Sequence, residues 1–425
     1  MIVQERSRVL VRGVGNFGSA AVRLLSRACH RVAGRHWLPA PEQDLGRARF
    51  DRAELAGAVA DLGVMVPIAV ALIVKNGLSA TAVLLPAGLL YVAAGLLYRV
   101  PVPVQPLKAF GAIAIAQGLG SSEIAAGALL MGGVFVALGA SGWLDRAARV
   151  FPHPIIRGVQ LSVGLLFCQL AWRLTTAPPA AFTDHTRPGW WLVGGGVLVA
   201  ATALLLRRQS VTLILVAIAA IAMILGYHGS LTPGPSAFLL PDLSIKVFAT
   251  AAVALVLPQL PLTFANSCLA TADAARTYFG PAGERVRPGR LALSLGVANL
   301  VAGGISGMPV CHGAGGMTAH FSFGARTGGA PVALGAVLLA LAFIVGASLA
   351  AVLAGFPLPI LAGLLAVSGL LHIALLKDLR HPSQWAMALA VGVTGFATNL
   401  AIALVGALLI WWLCKAVIVL RGRHA

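Results

Sequence analysis

Apolar segments about as long as a membrane-spanning helix follow one another from Ala56 almost to the end of the chain. A helix needs about 20 mostly apolar residues to cross a bilayer. Twelve segments approach this length, near 56–74, 78–98, 123–142, 155–172, 190–206, 211–227, 246–265, 291–305, 330–354, 358–376, 383–397 and 399–419. Only 10% of the residues are charged, whereas a soluble domain carries about 25%. Composition therefore excludes a soluble protein, and the pattern predicts an all-α polytopic membrane protein.

Two further segments, 101–118 and 307–321, lie between apolar spans but are short, polar and interrupted by proline or glycine. With both counted as broken spans, the chain has about fourteen membrane segments. Arginine is then concentrated in the even-numbered loops, for example at Arg207 and Arg208, whereas the odd loop 228–242 has no lysine or arginine. This asymmetry predicts a multi-pass protein of the plasma (cell inner) membrane with both termini cytoplasmic. The net charge of +18 has the same origin, so no nucleic-acid partner is expected.

The first broken segment contains the run PVPVQPLKAF. Proline has no N–H and a fixed φ, so Pro101, Pro103 and Pro106 exclude a regular helix before Leu107. A helix that begins there has its N-terminus inside the membrane, where free N–H groups and the helix dipole attract an anion. Lys108 adds a full positive charge at the same place. We therefore predict an anion site; the alternative is that Lys108 extends to the membrane interface.

The second broken segment, SGMPVCHGAGG, repeats this arrangement. Pro309 ends the preceding span, and the run HGAGG that starts at His312 is predicted to open a second helix. The glycines of this run let backbone N–H groups approach a ligand closely. Two interrupted helices at corresponding positions in the two halves of a chain are the best sequence indication of a secondary transporter's binding site.

A basic arm over 1–52 precedes the first span. Its Gly13, Gly15 and Gly18 match the GxGxxG dinucleotide-binding fingerprint. The chain then enters the membrane region without the further strands that a nucleotide-binding sheet needs. We interpret the arm as a cationic cytoplasmic segment or a degenerate remnant. The alternative is an enzyme or a nucleotide-regulated sensor built around 8–26.

Four stretches resemble motifs of the molybdate transporters in the sulfate-permease superfamily: ADLGVMVP, PVPVQPLKAFGAIA, LPQLPLTFANSCLAT and SGMPVCHGAGGMTAHFSFGARTGG. The match covers most of 55–400, and Leu107 departs from it where methionine is expected, a swap that conserves volume. The resemblance implies an inverted repeat of seven plus seven segments, with the first repeat over 53–227 and the second over 244–420. It also implies that the segments divide into a core domain and a gate domain. It also implies secondary-active import of molybdate by alternating access, with tungstate as a further substrate, and it is compatible with a homodimer. The alternative is the same fold carrying sulfate or another anion.

The resemblance places the oxyanion between the two half-helices. The substrate-binding residues that it implies are Gln105, Pro106, Lys108, Ala109, Gln259, Thr263, Asn266, Cys311, His312, Gly313, Ala314, Gly315 and Gly316. Backbone N–H groups at both helix starts and the neutral side chains would replace the water around a tetrahedral dianion. No cofactor or metal is expected, because the chain lacks the paired carboxylates and HExxH motifs that such enzymes carry.

Asp61 and His312 are the candidates for coupling to a proton or another cation. Asp61 is an acid within an apolar span; it carries the coupled proton, pairs with Lys108, or caps a helix near the surface. His312 is either a proton-sensitive donor or a neutral imidazole whose hydrogen bonds are satisfied.

Five other polar residues are expected to lie outside the site. His320 and Arg326 are predicted to face a cytoplasmic loop, and Asp273 and Arg276 to form a solvated helix end. Glu123 is predicted to mark an ordinary helix start. The five cysteines are scattered, with no CxxC pair, and predict neither a disulfide framework nor a zinc site.

Overall fold

The computed structural model describes residues 47–148, 151–180, 182–206, 209–398 and 400–422. The GxGxxG stretch and nearly all of the predicted basic arm therefore lie outside the described residues. All regular secondary structure within them is helical, apart from two strands of two residues each.

The first half contains nine helices and one strand over its described residues. They are α1 (Arg52–Val59), α2 (Leu62–Val74), α3 (Ala80–Tyr98), β1 (Gln105–Pro106), α4 (Lys108–Gln117), α5 (Ser121–Ala140), α6 (Trp143–Ala148), α7 (His153–Thr176), α8 (Gly189–Leu206) and α9 (Gln209–Gly226). A 3₁₀ helix, Thr183–Thr186, connects α7 to α8.

The second half repeats this order. Its elements are α10 (Ile245–Ala251), α11 (Leu257–Leu262), α12 (Thr271–Phe279), α13 (Pro288–Gly304), β2 (Val310–Cys311), α14 (Ala314–Ser322), α15 (Gly329–Ile344), α16 (Leu349–Ala354), α17 (Leu358–Ile373), α18 (Pro382–Ala397) and α19 (Leu400–Gly422). Two π-helical stretches, Ala252–Val256 and Thr263–Ala270, join α10, α11 and α12 into one long segment. Two 3₁₀ helices, Gly280–Arg285 and Ala374–Asp378, follow α12 and α17.

These elements group into seven membrane segments per half, with α6 and α16 as short connections. In the first half the segments are α1–α2, α3, β1–α4, α5, α7, α8 and α9; in the second they are α10–α12, α13, β2–α14, α15, α17, α18 and α19. In the described residues, six helical stretches are long and apolar enough to cross a membrane unaided, and four shorter helices are also apolar. The fold class predicted from the sequence is confirmed.

The helices pack in pairs that correspond when the two halves are exchanged. α5 packs along α13, and α15 packs along α3. Each of these is the second or fourth segment of its half, so the two pairs are equivalent. Gly132 lies against Gly296 in the first pair, and Gly88 lies against Gly335 in the second. Because glycine lets helix backbones approach closely, both pairs use the same packing device.

A second group of helices packs beside these pairs. α7 packs along α17 and α18, and α17 also packs along α8. These helices form the gate, and the pairs above belong to the core that carries both half-helices. Large apolar side chains on α8 and α9, such as Leu205 and Ile224, are exposed, as expected for a surface that faces lipid.

Two predicted spans have different ends in the structure. The span expected at 56–74 is interrupted by a turn at Ala60 and Asp61. The span expected at 246–265 continues to Phe279. It contains Pro258 and Pro261, which lack the N–H of a regular helix, and π-helical turns next to them accommodate the missing bonds.

Candidate functional site

The two half-helices begin at the same place in the molecule. β1 and β2 pair antiparallel, with Gln105 opposite Cys311 and Pro106 opposite Val310. Immediately after β1, the Leu107 N–H donates to the Pro309 carbonyl at 3.1 Å. α4 then begins at Lys108 and α14 at Ala314. We call residues 105–109 and 311–316 the crossing.

Local sequence explains why both helices begin here. The stretch 101–104 contains no helix and lies just before β1, as expected from its prolines. On the other side, a buried amide holds β2: the Asn299 side chain accepts from the Val310 N–H and donates to the Val310 carbonyl, both at 2.7 Å. A side chain that satisfies both backbone groups replaces the missing helical partners, because unpaired polar groups at membrane depth are costly.

Backbone donors are concentrated at the crossing. Among the described residues, no protein acceptor is found for the N–H groups of Lys108 and Ala109, or for those of Gly315 and Gly316. Such groups at a helix start carry the positive end of the helix dipole. The crossing thus presents two helix N-termini and one ammonium group within a buried region.

The next N–H along α4 is used differently. The Phe110 N–H donates to Gln259 Oε1 at 2.9 Å, and Gln259 Nε2 donates to Thr263 Oγ1 at 2.9 Å. Both side chains are buried. Gln259 and Thr263 therefore attach the first half-helix to the long segment α10–α12 of the other half.

A chain of side-chain hydrogen bonds leads away from the Lys108 ammonium. Lys108 Nζ donates to Gln105 Oε1 at 2.6 Å. Gln105 Nε2 donates to Asp61 Oδ1, and Tyr91 donates from its hydroxyl to Asp61 Oδ2 at 3.1 Å. Asp61 and Lys108 are therefore connected through the Gln105 amide and do not form a direct ion pair, which corrects one predicted role of Asp61. A cap near the surface is also wrong, because Asp61 is only 2% exposed.

Glycines keep the crossing narrow. A Cβ on Gly316 would lie 2.6 Å from Gln105 Nε2 and 2.8 Å from Asp61 Oδ1. A Cβ on Gly315 would lie 2.6 Å from the ring of Phe167. The same ring lies 5.5 Å from Lys108 Nζ, measured to its centroid. Phe167 belongs to α7, so a gate helix covers the crossing with an aromatic side chain.

Comparison with known proteins identifies the family. A family model described as molybdate transporter of the MFS superfamily matches residues 53–167 and 251–371, and each range contains one half-helix. The chain belongs to this molybdate transporter family. Among the curated members, molybdate transporter 1 of Chlamydomonas reinhardtii is 31% identical over 463 residues, which cover 83% of this chain and 89% of the relative. The resemblance expected from the sequence motifs is confirmed.

Solved structures extend the comparison to the fold. The transmembrane domain of the cyanobacterium bicarbonate transporter BicA superposes with a TM-score of 0.51 at 21% identity, covering 86% of this chain and 99% of that domain. Murine solute carrier 26 family member A9, an anion transporter in the inward-facing state, gives 0.56 at 14% identity, covering 86% and 68%. At these identities the likeness concerns the fold alone. This molybdate transporter family member therefore has the seven-plus-seven fold of sulfate-permease proteins.

The remaining predicted site residues of the molybdate transporter lie around the crossing in different ways. Cys311 is buried, with its Sγ 3.6 Å from the Pro106 carbonyl oxygen. His312 Nδ1 lies 2.9 Å from the Pro103 carbonyl oxygen and Nε2 lies 2.8 Å from Ser294 Oγ. Both ring nitrogens thus have protein partners. Asn266 is buried in the π-helical stretch before α12, and its Oδ1 has no hydrogen-bond partner among the described residues.

One prediction about a residue outside the site is wrong. His320 does not face a loop: it is fully buried, with Nδ1 2.7 Å from the Gly57 carbonyl oxygen. Arg326 lies in the loop between α14 and α15, where it is partly buried, and its guanidinium donates to the Phe321 carbonyl at 2.5 Å. Burial is the main cause that lowers the pKa of Arg326 to about 10. The close packing of α14 against α1 leaves little solvated loop here.

Asp273 is also not part of a solvated helix end, although Arg276 is exposed. Asp273 accepts from the buried guanidinium of Arg157, which also binds Asp378 and donates to Gln160 at 2.7 Å. This cluster was not predicted because its members are far apart in the chain.

Two aromatic residues of the site, on α3 and α7, were also not predicted. They are Tyr91 and Phe167, and their only sequence signal is an aromatic residue inside an apolar span.

Proposed function

We propose that this family member imports molybdate by secondary-active transport and binds the oxyanion at the crossing. In this proposal the protein lies in the plasma (cell inner) membrane with both termini cytoplasmic. The observation that carries the proposal is the pairing of β1 with β2, which aims the N-termini of α4 and α14 at one point.

The chemistry of the crossing suits a tetrahedral dianion. An oxyanion that leaves water needs several hydrogen-bond donors, and helix N-termini supply them without side-chain entropy cost. The N–H groups of Lys108, Ala109, Gly315 and Gly316 provide these donors, and the Lys108 ammonium provides charge. A set with many neutral donors and a single nearby lysine binds the anion while still permitting its release.

Alternating access follows from the division into core and gate. Both half-helices belong to the core, so the crossing moves as a unit with its substrate. Phe167 of the gate helix α7 lies over Lys108 and Gly315. Movement of the core against α7 and α17 then uncovers the crossing on one side of the membrane and covers it on the other.

Reconstitution in proteoliposomes tests the substrate. We expect uptake of labelled molybdate that an excess of unlabelled molybdate abolishes. Tungstate, a tetrahedral dianion of the same charge, is expected to compete nearly as well, and sulfate, which is smaller, to compete more weakly. Sulfate competing as strongly as molybdate would favour a general anion transporter, and absence of molybdate uptake would overturn the proposal.

A further inference from the structure

Asp61 is a buried acid whose partners at the crossing are neutral. Its carboxylate accepts from the Gln105 amide and the Tyr91 hydroxyl. In the described part of the chain, no ion pair involves Asp61. A buried carboxylate without a paired cation is costly as a charged group. The Lys108 ammonium nearby is directed to Gln105 instead.

The orientation of the Gln105 amide depends on the charge of both neighbours. An ionised carboxylate only accepts hydrogen bonds, and an ammonium only donates. Gln105 therefore turns its NH₂ group toward Asp61 and its carbonyl oxygen toward Lys108. In this orientation the amide oxygen engages the Lys108 ammonium and presents an acceptor to the crossing, which disfavours an oxyanion.

We propose that a proton on Asp61 reverses the Gln105 amide and so couples proton movement to molybdate binding. This inference rests on the proposed function. The proton comes from water on one side of the membrane, binds an Asp61 carboxylate oxygen and returns to water on the other side.

Protonation changes what each group needs. The O–H of the protonated Asp61 carboxyl group is a hydrogen-bond donor and requires the Gln105 carbonyl oxygen as its acceptor. Rotation of the amide by half a turn supplies it, and the NH₂ group then faces Lys108. Two donors now converge on the crossing with no acceptor between them. An oxyanion supplies that acceptor and accepts from both the amide and the ammonium.

Binding of the proton and of the anion is therefore mutually favourable. If the anion binds while Asp61 is ionised, it faces the Gln105 carbonyl oxygen, which repels it. If Asp61 is protonated while no anion is bound, the Gln105 NH₂ group and the Lys108 ammonium face each other without an acceptor. Thermodynamic linkage requires that each ligand strengthens the binding of the other by the same factor. The states that carry both ligands or neither are the stable ones, which is the requirement for coupled transport.

The surroundings permit this rotation. The oxygen and nitrogen of an amide have nearly the same size, so the flipped side chain fills the same space. Gly313 and Gly316 flank the amide, and a Cβ on either would contact it. Other titratable groups around Asp61 are Tyr91 on α3, Lys108 on α4, Cys311 on β2 and, beyond Tyr91, His320 on α14. Among these, Asp61 is the acid whose hydrogen bond orients Gln105.

Proton movement can be measured directly in proteoliposomes that hold a pH-sensitive dye. Molybdate added outside the wild-type protein is expected to acidify the lumen as labelled molybdate enters. An inside-alkaline gradient of one pH unit is expected to raise molybdate accumulation by about tenfold if one proton accompanies each anion. Wild-type uptake without any proton movement overturns the inference but leaves the proposed function intact, whereas absent molybdate uptake overturns the proposed function itself.

Asp61→Asn separates the proton from the anion, because an asparagine amide donates to the Gln105 oxygen without binding a proton. We expect this variant to lose lumen acidification and the response to the pH gradient while downhill molybdate uptake stays measurable. Glu123→Gln, which removes an acid at the start of α5, is the matched control and is expected to keep proton movement. Gradient-stimulated uptake by Asp61→Asn at the wild-type fold-change would overturn the inference. If Asp61→Asn fails to fold, the wild-type proton measurement decides alone.

Discussion

At the residue scale, Lys108 joins a full charge to a helix start. The prolines of 101–106 exclude a helix before it, so its N–H and its ammonium both lie at the start of α4. Its side chain is only partly buried, donates to Gln105 and lies over Phe167. The Lys108 ammonium can therefore exchange one hydrogen-bond acceptor for another, from the Gln105 amide oxygen to a bound oxyanion, while it stays at the crossing.

Lys108→Ala is expected to lower molybdate uptake at least about tenfold, because a charge-assisted hydrogen bond contributes ~1.5–3 kcal/mol. The measurement is the initial uptake rate in proteoliposomes at equal protein content. Lys75→Ala, at an exposed lysine after α2, is the control and should transport normally. Wild-type uptake by a well-folded Lys108→Ala protein would remove Lys108 from the site.

Gly316→Ala tests the narrowness of the crossing. The new methyl group would lie 2.6 Å from Gln105 Nε2, so the amide must move and the neighbouring N–H groups lose their alignment. We expect severe loss of molybdate binding, measured by equilibrium dialysis in detergent. Gly133→Ala provides the matched comparison, because apart from the neighbouring backbone of α5 itself nothing lies within 4 Å of its Cβ position. That change should leave binding unaffected and stabilise the helix by up to about 1 kcal/mol.

At the scale of elements, the half-helices depend on clamps from other segments. Asn299 of α13 binds both backbone groups of Val310. Gln259 of α11 accepts from the Phe110 N–H. Each clamp satisfies a polar backbone group that a continuous helix would have satisfied internally. The breaks in the two segments are therefore stable only together with their neighbours.

Asn299→Leu removes both hydrogen bonds of the Val310 clamp. Two buried backbone groups are left without partners, at a cost of about 1–3 kcal/mol each. We expect a lower Tm in detergent and a raised KM for molybdate, since β2 no longer holds the start of α14. Ser141→Ala, which removes an exposed hydroxyl bonded to the Leu138 carbonyl, is the control. An unchanged KM would show that β2 is held without Asn299.

At the scale of the whole molecule, a buried arginine connects core and gate. Arg157 lies on the gate helix α7 and is 1% exposed. It binds Asp378, which follows α17 in the gate, and Asp273 on α12 in the core. The core cannot slide far past the gate at this end without breaking the contact to Asp273.

Arg157→Leu is expected to destabilise the protein by about 3–5 kcal/mol, because it leaves the buried carboxylate of Asp273 without its cation. Thermal unfolding in detergent measures the loss. Combining it with Asp273→Asn and Asp378→Asn should recover much of the stability, since no uncompensated charge remains. If the triple variant were no more stable than Arg157→Leu, the loss would come from packing and not from charge.

Much of the site could be predicted from the sequence because its causes are local. Pro101, Pro103 and Pro106 exclude helix on chemical grounds wherever the chain runs. Lys108 follows them directly, and the glycines after His312 repeat the pattern. The partners of Asp61 could not be predicted. Gln105 and Tyr91 are 44 and 30 positions away from Asp61 in the sequence, and a hydropathy pattern does not indicate which distant residues come into contact.

The sequence alone determined that this chain spans a membrane many times, that two spans are interrupted, and that a lysine stands at one interruption. Hydropathy and proline chemistry act along the chain and need no partner. Only the tertiary structure decided that the two interruptions meet, that Gln105 stands between Asp61 and Lys108, and that Arg157 joins core to gate. Each of these contacts unites residues from distant segments, and packing in three dimensions selects them.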